Sequence, residues 1–234
     1  MDTGLLIATP AWHAVHAGSV AAVIAFGGVA GASETSDFAA AKHDLETSLR
    51  ARWQGKRRAD LKADPVLAAY DRYVKRFGQT YHVQMQIESV ALKGKAIPAR
   101  SPLVEVLFMA ELSTGVLAAG QDLAEAGLPI TVDAATGDET YTRYDGAEER
   151  CKAGDQLMRE AGGAILTSIA QGPTNVALLT SETGAVIYCL YLPPGLDVEL
   201  AESALAAIAR DIRLCAPDAI ERGRSIVTAG GGAS

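Results

Sequence analysis

Cysteine is scarce in this chain: Cys151, Cys189 and Cys215 are its three, widely spaced, with no CxxC pair and no Cys/His cluster. That pattern supports neither a disulfide framework nor a structural zinc site, and a reducing compartment fits it best. Positive charge is short as well. With 21 Lys and Arg against 28 Asp and Glu, the formal charge is −7. A protein that grips many phosphates over a broad face is excluded, because counterion release requires a surplus of cations. Any RNA contact must be a local basic patch on an acidic body. Long unbroken hydrophobic runs are also missing. Residues 1–33 carry one charge, Asp2, yet residues 17–32 are interrupted by Gly18, Gly27, Gly28 and Gly31. The stretch falls short of the ~20 strongly apolar residues of a membrane span, and no basic region marks it as a secretory signal. It reads as buried core, so a cytoplasmic protein with no membrane and no DNA partner is expected.

The histidines are confined to the first 82 residues, and no Gly-x-Ser-x-Gly elbow surrounds Ser168. A Ser-His-Asp triad is therefore disfavoured. His13 and His16, three apart beside Trp12, place two imidazoles on one face if that segment is helical. No carboxylate or thiol follows at ligand spacing, so packing or surface exposure is expected and no metal or cofactor. No feature selects a glycosidase-type carboxylate pair from the 28 acidic residues.

What is present is a chain of 234 residues, 49% apolar, enough for one substantial core. Residues 5–7 and 20–26 are short apolar runs suited to buried strands. Phe38, Ala41, Leu45, Leu49 and Trp53 then recur at helical spacing, with Asp37 as the expected cap. Asp64-Pro65 opens a second helix with Leu67, Tyr70, Val74 and Phe77 on its apolar stripe, stopping at Gly78. A third is expected over 82–92. After the break of Pro98 and Pro102, a fourth carries Leu103, Val104, Leu107, Phe108 and Leu112.

Strands are expected over 128–132, 139–144, 156–160, 164–169, 176–179 and 186–192. An amphipathic helix capped by Asp197 follows, through Leu200, Ala204, Leu205, Ile208 and Ile212. Helices in the N-terminal half and strands after them indicate an α+β fold, helices packed on a mixed or antiparallel sheet assembly with a C-terminal helix. Residues 1–222 are expected to be one domain, and 223–234 a disordered Gly-rich tail.

Several motifs occur in a fixed order. Ala69-Tyr70-Asp71-Arg72-Tyr73-Val74-Lys75-Arg76-Phe77-Gly78 is an aromatic, basic helix ending in Phe-Gly. Lys95-Ala96-Ile97-Pro98-Ala99-Arg100-Ser101-Pro102-Leu103-Val104-Glu105 leads into a helix. Glu111-Leu112-Ser113-Thr114-Gly115-Val116, Gln121-Asp122-Leu123 and Gly137-Asp138-Glu139 complete the series. Over roughly residues 60–192 this succession resembles the B3/B4 domain of the phenylalanyl-tRNA synthetase beta subunit, here free-standing. The resemblance implies hydrolysis in trans of wrongly charged tRNA, a second sieve that is useful because an apolar pocket discriminates weakly against an added hydroxyl. A non-catalytic module binding tRNA, RNA or an amino acid is the alternative, and an enzyme acting on a small amino-acid-like metabolite is a third reading.

Two positions depart from the family's pattern. Ala119 stands where the synthetase's editing pocket has a histidine, and Cys189 or a neighbour where a glutamate recognises the tyrosine hydroxyl. The substrate-binding candidates are Ser113, Thr114, Asp122, Glu139, Thr167 and Ser168, polar residues near element ends that could orient water or stabilise an oxyanion. The blander roles for these are turn or cap chemistry and satisfied strand hydroxyls. Arg50, Arg52, Lys56, Arg57 and Arg58, with Lys62, form the concentrated basic segment, extended by Arg100, Lys93 and Lys95. They are the RNA-binding candidates, or else a solvated helix end. The geometric expectation is a mostly apolar chamber between the helix bearing Leu103 and the strands after residue 128.

Overall fold

A computed structural model describes residues 4–230. The chain opens with β1 (Leu6–Ala8), α1 (Pro10–Val15) and β2 (Val20–Gly27). A helical stretch follows: α2 (Ser36–Arg52), α3 (Arg58–Lys62), α4 (Pro65–Lys75), α5 (His82–Ile87) continuing as a π-helical turn (Glu88–Leu92), and α6 (Pro102–Thr114). Then come β3 (Leu117–Asp122), α7 (Leu123–Ala126), β4 (Ile130–Ala134), β5 (Thr140–Thr142), β6 (Glu148–Arg150), β7 (Gln156–Arg159), β8 (Ile165–Ser168), β9 (Gly172–Pro173) and β10 (Ala185–Leu192). α8 (Val198–Cys215) and β11 (Ile220–Thr228) close the described chain. The fold is α+β, with the C-terminal helix as expected. Among the described residues no helix is long and apolar enough to cross a membrane.

The strands form a four-stranded sheet in the order β11-β2-β10-β3, a five-stranded sheet β1-β4-β7-β8-β9, and the small β5-β6 hairpin. Every residue of β2 is buried, as is β10 from Val186 to Leu192. Both are internal strands of their sheet, and α8 packs on β2 and on α6. Strands covered on both faces read as continuous apolar runs rather than alternations. That explains why residues 20–26 looked like one hydrophobic block.

The helices follow their local signals. Asp64 accepts from the Val66 N–H at 3.0 Å ahead of Pro65, and Asp197 accepts from the Leu200 N–H at 2.9 Å. α4 buries Leu67, Tyr70, Tyr73 and Val74, and α8 buries Ala201, Ala204, Leu205, Ile208 and Ile212. Each large apolar side chain so buried contributes about 1.5–3 kcal/mol.

Several expectations need correction. The cap of α2 is Thr35, whose hydroxyl accepts from the Phe38 N–H at 3.1 Å; Asp37 sits inside the first turn, where it meets the helix dipole. No strand forms over 176–179. Ala177 there takes a left-handed φ of 52°, and its carbonyl accepts from the Asp122 N–H at 2.8 Å. Contrary to a disordered tail starting at 223, residues 223–228 continue β11, paired antiparallel with β2 from Gly223↔Ala25 to Thr228↔Val20. Ladder hydrogen bonds and the buried Ser225 hold that segment. Residues 231–234 lie outside the described residues. β3 escaped the periodicity because Ala118, Ala119 and Gly120 are weak strand formers; pairing with β10 imposes the conformation.

Candidate functional site

α6 begins with Pro102 at its first turn and ends at Gly115, whose φ of 75° is the left-handed geometry that favours glycine. This stop turns the chain sharply into β3, so the last turn of α6 faces the start of that strand. Glu111 sits in that turn, 2% exposed, and accepts from the Ala118 N–H at 3.2 Å. Two tyrosines fix the corner from behind. Tyr70 and Tyr81 stack with ring centroids 4.3 Å apart. The Tyr81 hydroxyl donates to the Gly115 carbonyl at 2.8 Å, and the Tyr70 hydroxyl accepts from the Leu117 N–H at 3.0 Å while donating to the Tyr191 carbonyl. β3, β10 and α6 are thereby tied together at the point where Glu111 emerges.

In front of this corner lies a cavity of about 530 Å³, within the usual range for small-molecule sites. Val104, Leu107 and Phe108 of α6, residues 117–120 of β3, Ile169, Pro173, Leu178 and Leu179 supply a mainly apolar wall. Its polar groups are few: His82, Gln86, Glu111, Thr167, Ser168, Tyr191, and Arg100 and Tyr144. Gly120 is required by close approach, since a Cβ there would lie 3.0 Å from the Leu179 Cδ1 and 3.1 Å from the Tyr188 ring. A depression of about 590 Å³ beside Val15, Arg76, Phe77 and Lys152 is larger but shallow, and no residue around it is buried.

The electrostatics of the cavity come from desolvation. Burial pushes the Glu111 carboxyl up to about 8, against the opposing pull of the Ala118 N–H and the Gln86 side chain. His82 lies 3.9 Å from it, Nε2 to Oε1. Its ring is about half exposed, yet the protein around it displaces enough water to lower its pKa from 6.5. Both shifts favour the neutral forms, so at pH 7 a carboxylic acid stands beside a neutral imidazole. The Tyr191 hydroxyl is buried beside the Thr167 hydroxyl, while the Gln86 Oε1 is shut off from solvent and has no hydrogen-bond partner within the protein. Buried polar atoms of this kind are satisfied by a ligand or by water.

Of the sequence-predicted substrate residues, Thr167 and Ser168 line the cavity. Ser168 is already engaged: its hydroxyl donates to buried Asp155, which also accepts from the Tyr73 hydroxyl at 2.8 Å and from the Ala170 N–H at 3.1 Å. The other four are elsewhere. Ser113 and Thr114 donate back to the Ala110 carbonyl, as hydroxyls in a last helical turn do. Asp122 caps α7 through the Ala124 N–H. Glu139 is locked by Thr136, the Gly137 N–H and Arg159, and the Thr136 and backbone donors hold its carboxyl down at about 2 against the opposing effect of partial burial.

Of the basic candidates, Arg100 reaches the cavity and Arg50, Arg52, Lys56, Arg57 and Arg58 do not line it. Arg50 is paired with Glu46, Arg52 with Asp64 and Arg58 with Glu88, while Lys56 and Arg57 are exposed on the turn after α2. Ala119 lines the cavity and pairs across the sheet with Cys189, whose thiol burial pushes up to about 12. His16 is packed between Trp12 and Tyr73.

His82, Gln86, Glu111 and Tyr191 were not singled out as site residues from the sequence. Glu111 did carry one signal, a carboxylate within an otherwise apolar helical stripe.

No protein-family model matches the chain, and no curated protein matches it. Among solved structures, an N-terminal fragment of the phenylalanyl-tRNA synthetase beta subunit from Pyrococcus horikoshii is similar over 96% of this chain, with TM-score 0.47 and 11% sequence identity. The chain spans 50% of that structure's length. The likeness is distant and belongs to the fold.

Proposed function

We propose that the cavity binds the aminoacyl end of a charged tRNA and that the protein is a trans-acting aminoacyl-tRNA deacylase. The observation that carries this reading is a mostly apolar chamber of amino-acid size holding an acid with a raised pKa, Glu111, next to a neutral imidazole, His82. A carboxyl tuned near neutrality beside a second titratable group is the arrangement that general acid–base catalysis uses.

The step balances with these groups alone. A water oxygen bonds to the ester carbonyl carbon while His82 Nε2 takes the water's proton. The bond between the acyl carbon and the ribose oxygen then breaks as Glu111 gives its proton to that departing oxygen, and the proton held by His82 returns to Glu111 through solvent to reset both groups. Arg100 and Tyr144 at the cavity supply a cation and an aromatic face for nucleotides beyond the terminal one. The ordered motifs over residues 60–192 support the tRNA assignment.

The test is hydrolysis of tRNAs charged with cognate and near-cognate apolar and aromatic amino acids, by the wild type, Glu111→Gln and His82→Ala. Turnover that falls at least about 100-fold in both variants is expected. Absence of turnover on every charged tRNA would sink the catalytic reading.

A second reading is favoured by one observation: Ser168 is committed to Asp155, and the buried thiols of Cys189 and Cys215 are both pushed up to about 12, so no activated nucleophile faces the cavity. On that reading the protein binds amino-acid derivatives without turning them over. Calorimetric binding of an amino-acid amide without hydrolysis of the matching ester would establish it.

A further inference from the structure

Beside the cavity lies a second one of about 390 Å³. His82, Gln86 and Phe108 belong to the walls of both. Its other walls are Met85, Ser89 and Val90 from α5 and the π-helical turn, Leu112 of α6, and Lys95, Ala96 and Pro98 of the segment between them. The shared wall is where the chemistry sits. Gln86 Oε1 there is an acceptor with no protein donor and no access to water. Leaving such an atom unpaired is unfavourable, and a ligand N–H or O–H would offset that. Lys93 is neutralised by Glu88, whereas Lys95, exposed beside the second cavity, takes no carboxylate partner among the described residues.

We infer that the two cavities form one bipartite site, the first for the amino-acid side chain and the second for the nucleoside on the alcohol side of the ester. The ester carbon then lies at the shared wall, within reach of His82 and Glu111. Gln86 Oε1 accepts from a hydroxyl or amine of the ligand, and the nucleoside's 5′-phosphate meets Lys95. Met85, Phe108 and Pro98 offer the flat apolar surfaces on which a base stacks, and stacking of this kind contributes affinity with every base. An amino acid alone fills half of the site. The inference rests on the aminoacyl-ester reading above and names the second half of its substrate.

The experiment compares binding, by calorimetry at low salt, of three probes for each of phenylalanine, tyrosine and leucine. These are the amino-acid methyl amide, the same amino acid amide-linked to 3′-amino-3′-deoxyadenosine, and that conjugate bearing a 5′-phosphate. The adenosine conjugate is expected to bind about tenfold more tightly than the methyl amide, and the phosphate to add about fivefold more, as one stacked base and one exposed ion pair would. Ala96→Trp, on an exposed segment, obstructs the second cavity and should return the conjugate to methyl-amide affinity without changing the methyl amide itself. Met85→Ala should lower the conjugate alone, and Lys95→Ala should abolish only the phosphate increment. A conjugate no tighter than the methyl amide, or a gain that survives Ala96→Trp, overturns the bipartite site. Methyl amides that bind nowhere would overturn the aminoacyl reading along with it.

Discussion

Replacing Glu111 by Gln isolates the energetic consequence of burying a carboxyl in the cavity corner. Burial raises its pKa from 4.5 to about 8. Between those values the unfolded chain releases this proton and the folded chain keeps it. The folded state is therefore progressively disfavoured as pH rises from 4.5, and the loss levels off above 8. At 1.36 kcal/mol per unit, the loss is about 1 kcal/mol at pH 5 and about 3 at pH 7. By pH 9 it approaches about 5 kcal/mol, a large fraction of a typical domain's stability. Gln is isosteric, stays neutral throughout and can still accept from the Ala118 N–H.

Relative to Glu111→Gln, the wild type should therefore lose about 4 kcal/mol between pH 5 and pH 9. An ion pair with His82 would oppose this trend, but the lowered His82 pKa keeps that ring neutral over most of the range. The assay is urea denaturation of both proteins at pH 5, 7 and 9, with free energies extrapolated to water. Stability curves for the two that run parallel, within about 1 kcal/mol, would refute the claim that Glu111 is held as a neutral acid.

Catalysis should read the same group: in the deacylation assay kcat should fall tenfold per unit above pH 8 as Glu111 loses its proton, with a separate acid limb below 6.5 where His82 becomes protonated, and Glu111→Gln should lose the alkaline limb together with most of the rate. His16, whose pKa burial brings down to about 4, works in the opposite sense. Its contribution to stability is present above pH 6.5 and is lost as pH falls toward 4, about 3 kcal/mol in all; its imidazole carbon shifts in an NMR titration should stay those of a neutral ring to below pH 5. Tyr73→Phe removes one donor from buried Asp155 and should cost about 1–3 kcal/mol by thermal or urea unfolding, with the Ser168 end of the network left in place. Thr35→Ala deletes both the α2 cap and the hydrogen bond to the Leu214 carbonyl, and about 1–2 kcal/mol of destabilisation is expected.

How much of this was legible in the chain depends on how local each signal is. The strands around 20–26 and 186–192, the helix opened by Asp64-Pro65 and the one capped by Asp197 were readable because hydrophobic period and caps are properties of neighbouring residues. The α+β class followed from their order. Thr167 and Ser168, chosen because hydroxyls in an apolar strand stand out, line the cavity, and a chamber between α6 and the later strands was expected. Ser113, Thr114, Asp122 and Glu139 were misplaced for a related reason: near element ends, such side chains serve the backbone of their own turn. β11 went unseen because Gly223 and three charged residues disguise a strand whose conformation comes from pairing with β2.

The position of Glu111 in an apolar stripe marks it for burial, but its proton affinity is set by what surrounds it. Tyr70, Tyr81, β3 and β10, from four separate parts of the chain, close the corner and exclude water. The sequence by itself determined the elements that carry strong local period and caps, such as β2, α4, β10 and α8. Only the tertiary structure decided which few of the 28 acidic side chains, Glu111 and Asp155 among them, lost their solvent, because desolvation is a property of packing and not of neighbours along the chain.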